Sequence, residues 1–177
     1  MSLAVRQMVL QAENNRWANR RLLAACAALP AEEMTKKRPS FFGTILAALN
    51  HILIVDWYYI DALKQAGRAA EIRENYRDGA PDPLENIAAL ADAQDKSDGD
   101  LIAFCESLEE LDLARQVDTL REGGVIWKER IGDLLLHLFQ HQIHHRGQVH
   151  DMLSATAVAP PQLDEFYLAM DRAARVE

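Results

Sequence analysis

Five of the six histidines in this chain fall between positions 137 and 150, in and just outside His141-Gln142-Ile143-His144-His145-Arg146-Gly147-Gln148. A neutral imidazole offers a nitrogen lone pair to a transition metal. On a helix, side chains three or four apart share one face. His137/His141, His141/His144 and His141/His145 all meet that spacing. At about 100° per residue, His145 lies closest to the line through Leu134, Leu138, Val149 and Met152. His141 sits at the inner edge of that apolar face, and His137 and His144 turn outward. The pair expected to face a helical core is therefore His141 and His145, a half-site for a metal. Buried imidazoles need partners, so an inward pair calls for something to satisfy it. The isolated His51 lies on an otherwise apolar stretch and is either a hydrogen-bonded core histidine or a third nitrogen. Three protein ligands would leave one position open to water or substrate, the arrangement of catalytic rather than structural sites.

Other chemistries are set aside by their missing residues. Gln142 occupies the place where an HExxH protease carries its general base. The chain has no GxGxxG, no phosphate-cradling glycine loop and no GxSxG elbow. Asp56, one turn past His51 near the centre of its apolar face, would orient a ligand, act as a base or pair with an arginine. His144, Arg146 and Gln148 are candidates for supporting the ligands or touching substrate, or for tying helices together. Trp17, Trp57, Tyr58, Tyr59 and Phe139 are core first and pocket lining second.

The elements that must position these groups read as helices. Apolar residues make up 49% of the 177 positions, while there are only eight glycines and six prolines, which favours helix over a turn-rich β-sandwich. That length suits one domain over 1–177. A first helix is expected over 4–29, ended by Pro30. A second is expected from an N-cap at Ser40 to about Gln65, a third over Leu84–Leu108 with a weak middle at 95–100, and a fourth over Ile131–Ala155. The stretch 67–83 reads as a loop, 112–128 as a short β-hairpin or extended crossover, and 162–174 as a last short helix. Four amphipathic helices imply an all-α four-helix bundle, and the two long connections argue against simple up-down order.

Charge and cysteine use bound the partners. The formal charge of −8 lacks the basic footprint of a nucleic-acid binder. The aliphatic run Ile52-Leu53-Ile54-Val55 is broken by Asp56, so no membrane span is expected, and Met1-Ser2-Leu3-Ala4 is unlike a signal peptide. Cys26 and Cys105 show no CxxC spacing and read as buried thiols of a cytoplasmic protein.

At these residues the chain resembles the DinB superfamily of small helical metal-binding proteins (DinB/YfiT-like, unrelated to the DNA polymerase that shares the name). Asn15-Arg16-Trp17-Ala18-Asn19-Arg20-Arg21-Leu22-Leu23 is similar to the family's first-helix signature. Ser40-Phe41-Phe42-Gly43-Thr44-Ile45, leading into Leu49-Asn50-His51-Ile52-Leu53 and Asp56, is similar to its second-helix motif. His141 through Gln148 carries the HxxxHRGQ element, and Pro160-Pro161-Gln162-Leu163-Asp164 with Tyr167 resembles its usual ending. The resemblance implies a four-helix bundle with an unusual connection order, often a homodimer, and a divalent metal on His51, His141 and His145. It also implies thiol chemistry of the S-transferase or isomerase kind for some members.

The expectation is a metal-dependent enzyme that activates a thiol or water for a small-molecule substrate. Zinc, nickel or iron suits an all-nitrogen set better than magnesium or calcium, and a low-molecular-weight thiol is the expected co-substrate. The alternative is a non-catalytic metal-binding or stress-response bundle, whose metal would be closed by a fourth protein ligand such as His144 or an acid.

Overall fold

The computed structural model describes residues 1–76 and 81–164 of the chain. It is built on four long helices: α1 (Leu3–Ala27), α3 (Ile45–Lys64), α5 (Ile87–Glu106) and α6 (Ile131–Ser154). Two short helices, α2 (Ala31–Thr35) and α4 (Ala69–Asn75), lie in the first two connections. Strands β1 (Gln116–Leu120) and β2 (Ile126–Arg130) pair antiparallel, from Gln116 opposite Arg130 to Leu120 opposite Ile126. The chain is thus all-α with a short β-hairpin before its last long helix.

The long helices begin where side chains can satisfy their first amides. Ser2 accepts from the Val5 N–H at 3.4 Å, Thr44 from Ala47 at 3.1 Å and Asn86 from Ala89 at 2.8 Å. The second long helix therefore starts at Thr44 and not at Ser40. Residues 40–43 form a turn instead, with Gly43 at φ +73°, a conformation that ends any helix begun at Ser40. The expected loop 67–83 contains α4, because Ile72 finds a buried place against the core; its residues 77–80 lie outside the described ones. So does most of the helix expected over 162–174, and Tyr167 with it.

The hairpin and the α1–α3 connection are long because they cross the bundle. α1 packs most extensively on α5 and α3 on α6, with α3 also against α5 and α1 against α6. Around the bundle the order is α1, α5, α3, α6, so α1 and α3 stand diagonally opposed, as do α5 and α6. Short loops cannot make either step.

The core falls into two apolar clusters. One holds Val5, Met8, Tyr59, Leu101, Leu135 and Leu138 among others; the second holds Leu22, Cys26, Ile45, Leu49, Leu90, Val149 and Leu153. Between them in sequence, on every long helix, stand buried polar residues: Asn15 and Asn19, Asp56, Gln94 and Asp98, Gln142 and Arg146. The weakly helical stretch 95–100 is continuous helix for this reason, since Asp98 is wanted in that layer. By length and composition α3 is apolar enough to cross a membrane, but 72% of the window that passes is buried in the bundle, as a core helix requires. Cys26 and Cys105 are buried and unpaired, and burial pushes both thiols up to about 12.

Candidate metal centre

His51 on α3 meets His141 and His145 on α6 in the groove between these two helices. The three offer nitrogens that all lie within 4.8 Å of one another, a group that could hold a metal ion. His51 Nε2 stands 3.0 Å from His141 Nε2. Either one ring gives its hydrogen to the other, or both lone pairs face a shared cation. The spacing is near the roughly 3.3 Å that two nitrogens take on a tetrahedral ion bound at about 2.05 Å, so the residues present fit such a group.

The rings are held unequally. His145 Nδ1 is 2.9 Å from Gln148 Oε1, and Gln148 Nε2 is 3.3 Å from His144 Nε2. An amide oxygen only accepts, so Nδ1 of His145 carries the hydrogen and its Nε2 keeps the lone pair. His141 Nδ1, by contrast, is buried with no hydrogen-bond partner among the described residues. Phe42 tilts over His51 with ring centroids 4.4 Å apart and meets His145 edge-on at 5.3 Å. Burial, reinforced by His145, His51 and the other nearby imidazoles, lowers His141 to about 3. Burial also lowers His145, with the Gln148 hydrogen bond opposing. Both rings are therefore neutral at pH 7, the form that binds a metal.

Neither α6 ligand candidate is fully buried, so the pair lies at the edge of the core and not inside it. The residues that enter the core are their neighbours, Gln142 and Arg146, at 0% and 5% exposure. Arg146 Nη1 donates to Asn15, to Asn19 at 3.0 Å and to Gln142 Oε1 at 3.2 Å. Asn15 and Asn19 pass their own amide hydrogens to Asp98 at 3.1 and 2.9 Å, and Gln142 passes its to Asp56. Gln94 bridges the two acids, 2.6 Å from Asp56 Oδ2 and 3.1 Å from Asp98 Oδ1. Every charge is thus met through a neutral amide. Burial pushes Asp56 up to about 7 and Asp98 to about 6, and lowers Arg146 to about 10.

Asp56 therefore sits in a buried layer with both carboxylate oxygens occupied, a different setting from the half-buried histidines beside which a base would need to stand. Arg146 ties α6 to α1. His144 and His137 are exposed, and His150 is placed against the Pro161 carbonyl at 3.1 Å. Sequence reasoning treated Gln142 only as a missing glutamate and passed over Phe42. The available signal for Gln142 was a repeat: one i, i+4 polar pair each on α1, α5 and α6, flanked by apolar residues.

A diagonal four-helix bundle carrying a three-histidine group in one groove defines the class. Comparison with known proteins agrees with it. The model of the DinB family matches residues 1–174, and the chain belongs to that family. It is 26% identical over 163 residues to Protein DinB of Bacillus subtilis (strain 168), covering 90% of this chain and 92% of that protein. The fold is similar to the crystal structure of a DinB-like protein, YjoA, from Bacillus subtilis. That likeness has a TM-score of 0.60 at 18% identity, over 89% of this chain and 97% of that one.

Proposed function

We propose that the protein is a metal-dependent enzyme whose divalent transition ion is held by His51, His141 and His145. The observation that carries this reading is the convergence of three imidazole nitrogens from two helices, with the two α6 rings kept neutral by burial. Nitrogen-only donors favour zinc, nickel or iron. When bound, such an ion supplies Lewis acidity that lowers the pKa of a thiol or water at its remaining position. The chain's own part is positional. Gln148 fixes the tautomer of His145, Phe42 covers one side of the imidazoles, and Asp56 braces α3 against α6 through Gln142.

Catalysis is favoured over a closed, purely structural site because the group contains three residues among the described ones. The fourth candidate, His144, has its Nε2 engaged by Gln148. S-transfer with a low-molecular-weight thiol, or hydrolysis, is the reaction class this open arrangement suits. A homodimer in the reducing cytoplasm completes the reading, supported by exposed Leu136 and Ile143 two turns apart on α6 and by two unpaired thiols.

Elemental analysis of purified wild type and His145→Ala tests it. About one transition ion per wild-type chain is expected, with loss in the variant; equal metal content in both would remove His145 from the site.

A further inference from the structure

Among the described residues, Phe41 and Leu111 are the most exposed large apolar side chains, each at 86%. Leu111 lies on the turn between α5 and β1, whereas Phe41 adjoins Phe42, the ring that packs on the histidine group. Its ring meets Phe42 edge-on, centroids 5.0 Å apart at 87°, and Phe42 in turn lies against His51 and His145. The turn that presents it is pinned. The Gly43 N–H donates to the Ser40 carbonyl at 3.0 Å, and the Arg38 N–H donates to the Gly43 carbonyl at 2.8 Å. The Arg38 guanidinium, almost wholly covered, donates to the carbonyls of Glu33 and Lys36 at 2.7 and 3.0 Å and pairs with the Glu33 carboxylate. A phenyl ring left in water costs hydration free energy, yet this one stands on a hydrogen-bonded turn, one ring out from two of the three candidate metal ligands.

We infer that Phe41, backed by Phe42, is the specificity wall of this site. It takes an apolar, preferably aromatic, substituent of a thiol whose sulfur lies at the three histidines. The inference rests on the metal reading above and adds to it a substrate class. Aromatic rings favour edge-to-face and offset contact, and the outward face of Phe41 offers that contact to an incoming ring. A small polar thiol reaches the histidines without touching it.

The test is equilibrium binding of two probe thiols to cobalt-loaded protein, read from the cobalt absorption band. Each thiol releases its proton to the buffer as its sulfur binds. Wild type should bind benzyl mercaptan about tenfold more tightly than 2-mercaptoethanol. Phe41→Ala should weaken benzyl mercaptan about fivefold and leave 2-mercaptoethanol unchanged. Leu111→Ala, which removes an equally exposed side chain elsewhere, should change neither. A wild type with no cobalt band overturns the metal reading and this inference together. With the band present, three results overturn the inference alone: equal affinities in wild type, an undiminished preference in Phe41→Ala, or equal weakening of both thiols. A preference that survives Phe41→Ala while the sedimenting mass falls would show that a second copy of the chain covers the ring instead.

Discussion

One residue separates two polar constructions on α6. His141 and His145 look into the groove with α3, while Gln142 and Arg146 turn into the core, where Gln142 donates to Asp56 of the same partner helix. The core layer is buried, and amides stand between its guanidinium and its two carboxylates. The groove brings three imidazole nitrogens within 4.8 Å, and one ring nitrogen there has no hydrogen-bond partner among the described residues. A polar group that the protein satisfies by itself is architecture. One whose donors converge on a point the protein does not fill is suited to bind something.

The sharpest way to break that contrast is to cut each side and measure both properties. Arg146→Ala leaves Asp56 and Asp98 buried without their countercharge and should cost about 3–5 kcal/mol in urea unfolding with EDTA present. His141→Ala should change that stability by about 1 kcal/mol or less while weakening zinc binding by about a hundredfold, roughly 2.7 kcal/mol. Zinc competition with a chromophoric chelator reads the second quantity. If His141→Ala unfolded the chain as readily as Arg146→Ala, the histidines would belong to the architecture too.

The acid within the layer gives the comparison a pH signature. Asp56 is raised from 3.8 to about 7, chiefly by burial and then by Asp98, with Gln94, Gln142 and Arg146 opposing. Between those values the folded chain keeps a proton that the unfolded chain releases. The Asp56 contribution is therefore full below about pH 4 and is lost as pH rises through 7. Relative to Asp56→Asn, wild type should lose about 3 kcal/mol of stability between pH 4.5 and pH 8. The opposite trend from His141, whose lowered pKa removes stability as pH falls below its ordinary value, is common to both proteins and cancels in the difference. A gap that does not change with pH would mean that Asp56 is ionised throughout.

Much of this was legible in the sequence, and the failures have physical causes. Helical periodicity located four long helices, because each has one strongly apolar face. The β-hairpin could be read from Gly123-Gly124, which adopt φ +71° and +78° between β1 and β2. The gathering of His51 with His141 and His145 followed from spacing and family resemblance together. Periodicity alone failed one residue along: it set His145 closest to the line of the apolar face, when Gln142 and Arg146 are the buried residues and the two histidines stand at the edge. A hydrophobicity pattern cannot show a buried polar layer whose members satisfy one another across four helices. Ser40 misled in the same way, since a good capping residue says nothing of the glycine turn that follows it.

The smallest expected effect concerns the two α6 imidazoles themselves. They lie one turn apart, yet of the two Gln148 anchors only His145, and the Nδ1 atom of His141 has no partner among the described residues. Gln148→Leu would remove the acceptor and make His145 resemble its neighbour. The Nδ1 hydrogen would then have no fixed partner, and the tautomer that leaves Nε2 free would no longer be selected. Supporting hydrogen bonds of this kind are typically worth 10- to 100-fold in metal affinity. Gln148 is only partly buried and water can replace part of the bond, so about tenfold is expected here. Gln148→Glu, which also accepts and does so with charge, should bind zinc at least as tightly as wild type. Chelator competition separates these outcomes, and urea unfolding in EDTA should show little change in either variant. Equal zinc affinity in wild type and Gln148→Leu would mean that packing against Phe42 and His51 holds His145 without the amide, so that the two rings are supported in the same way.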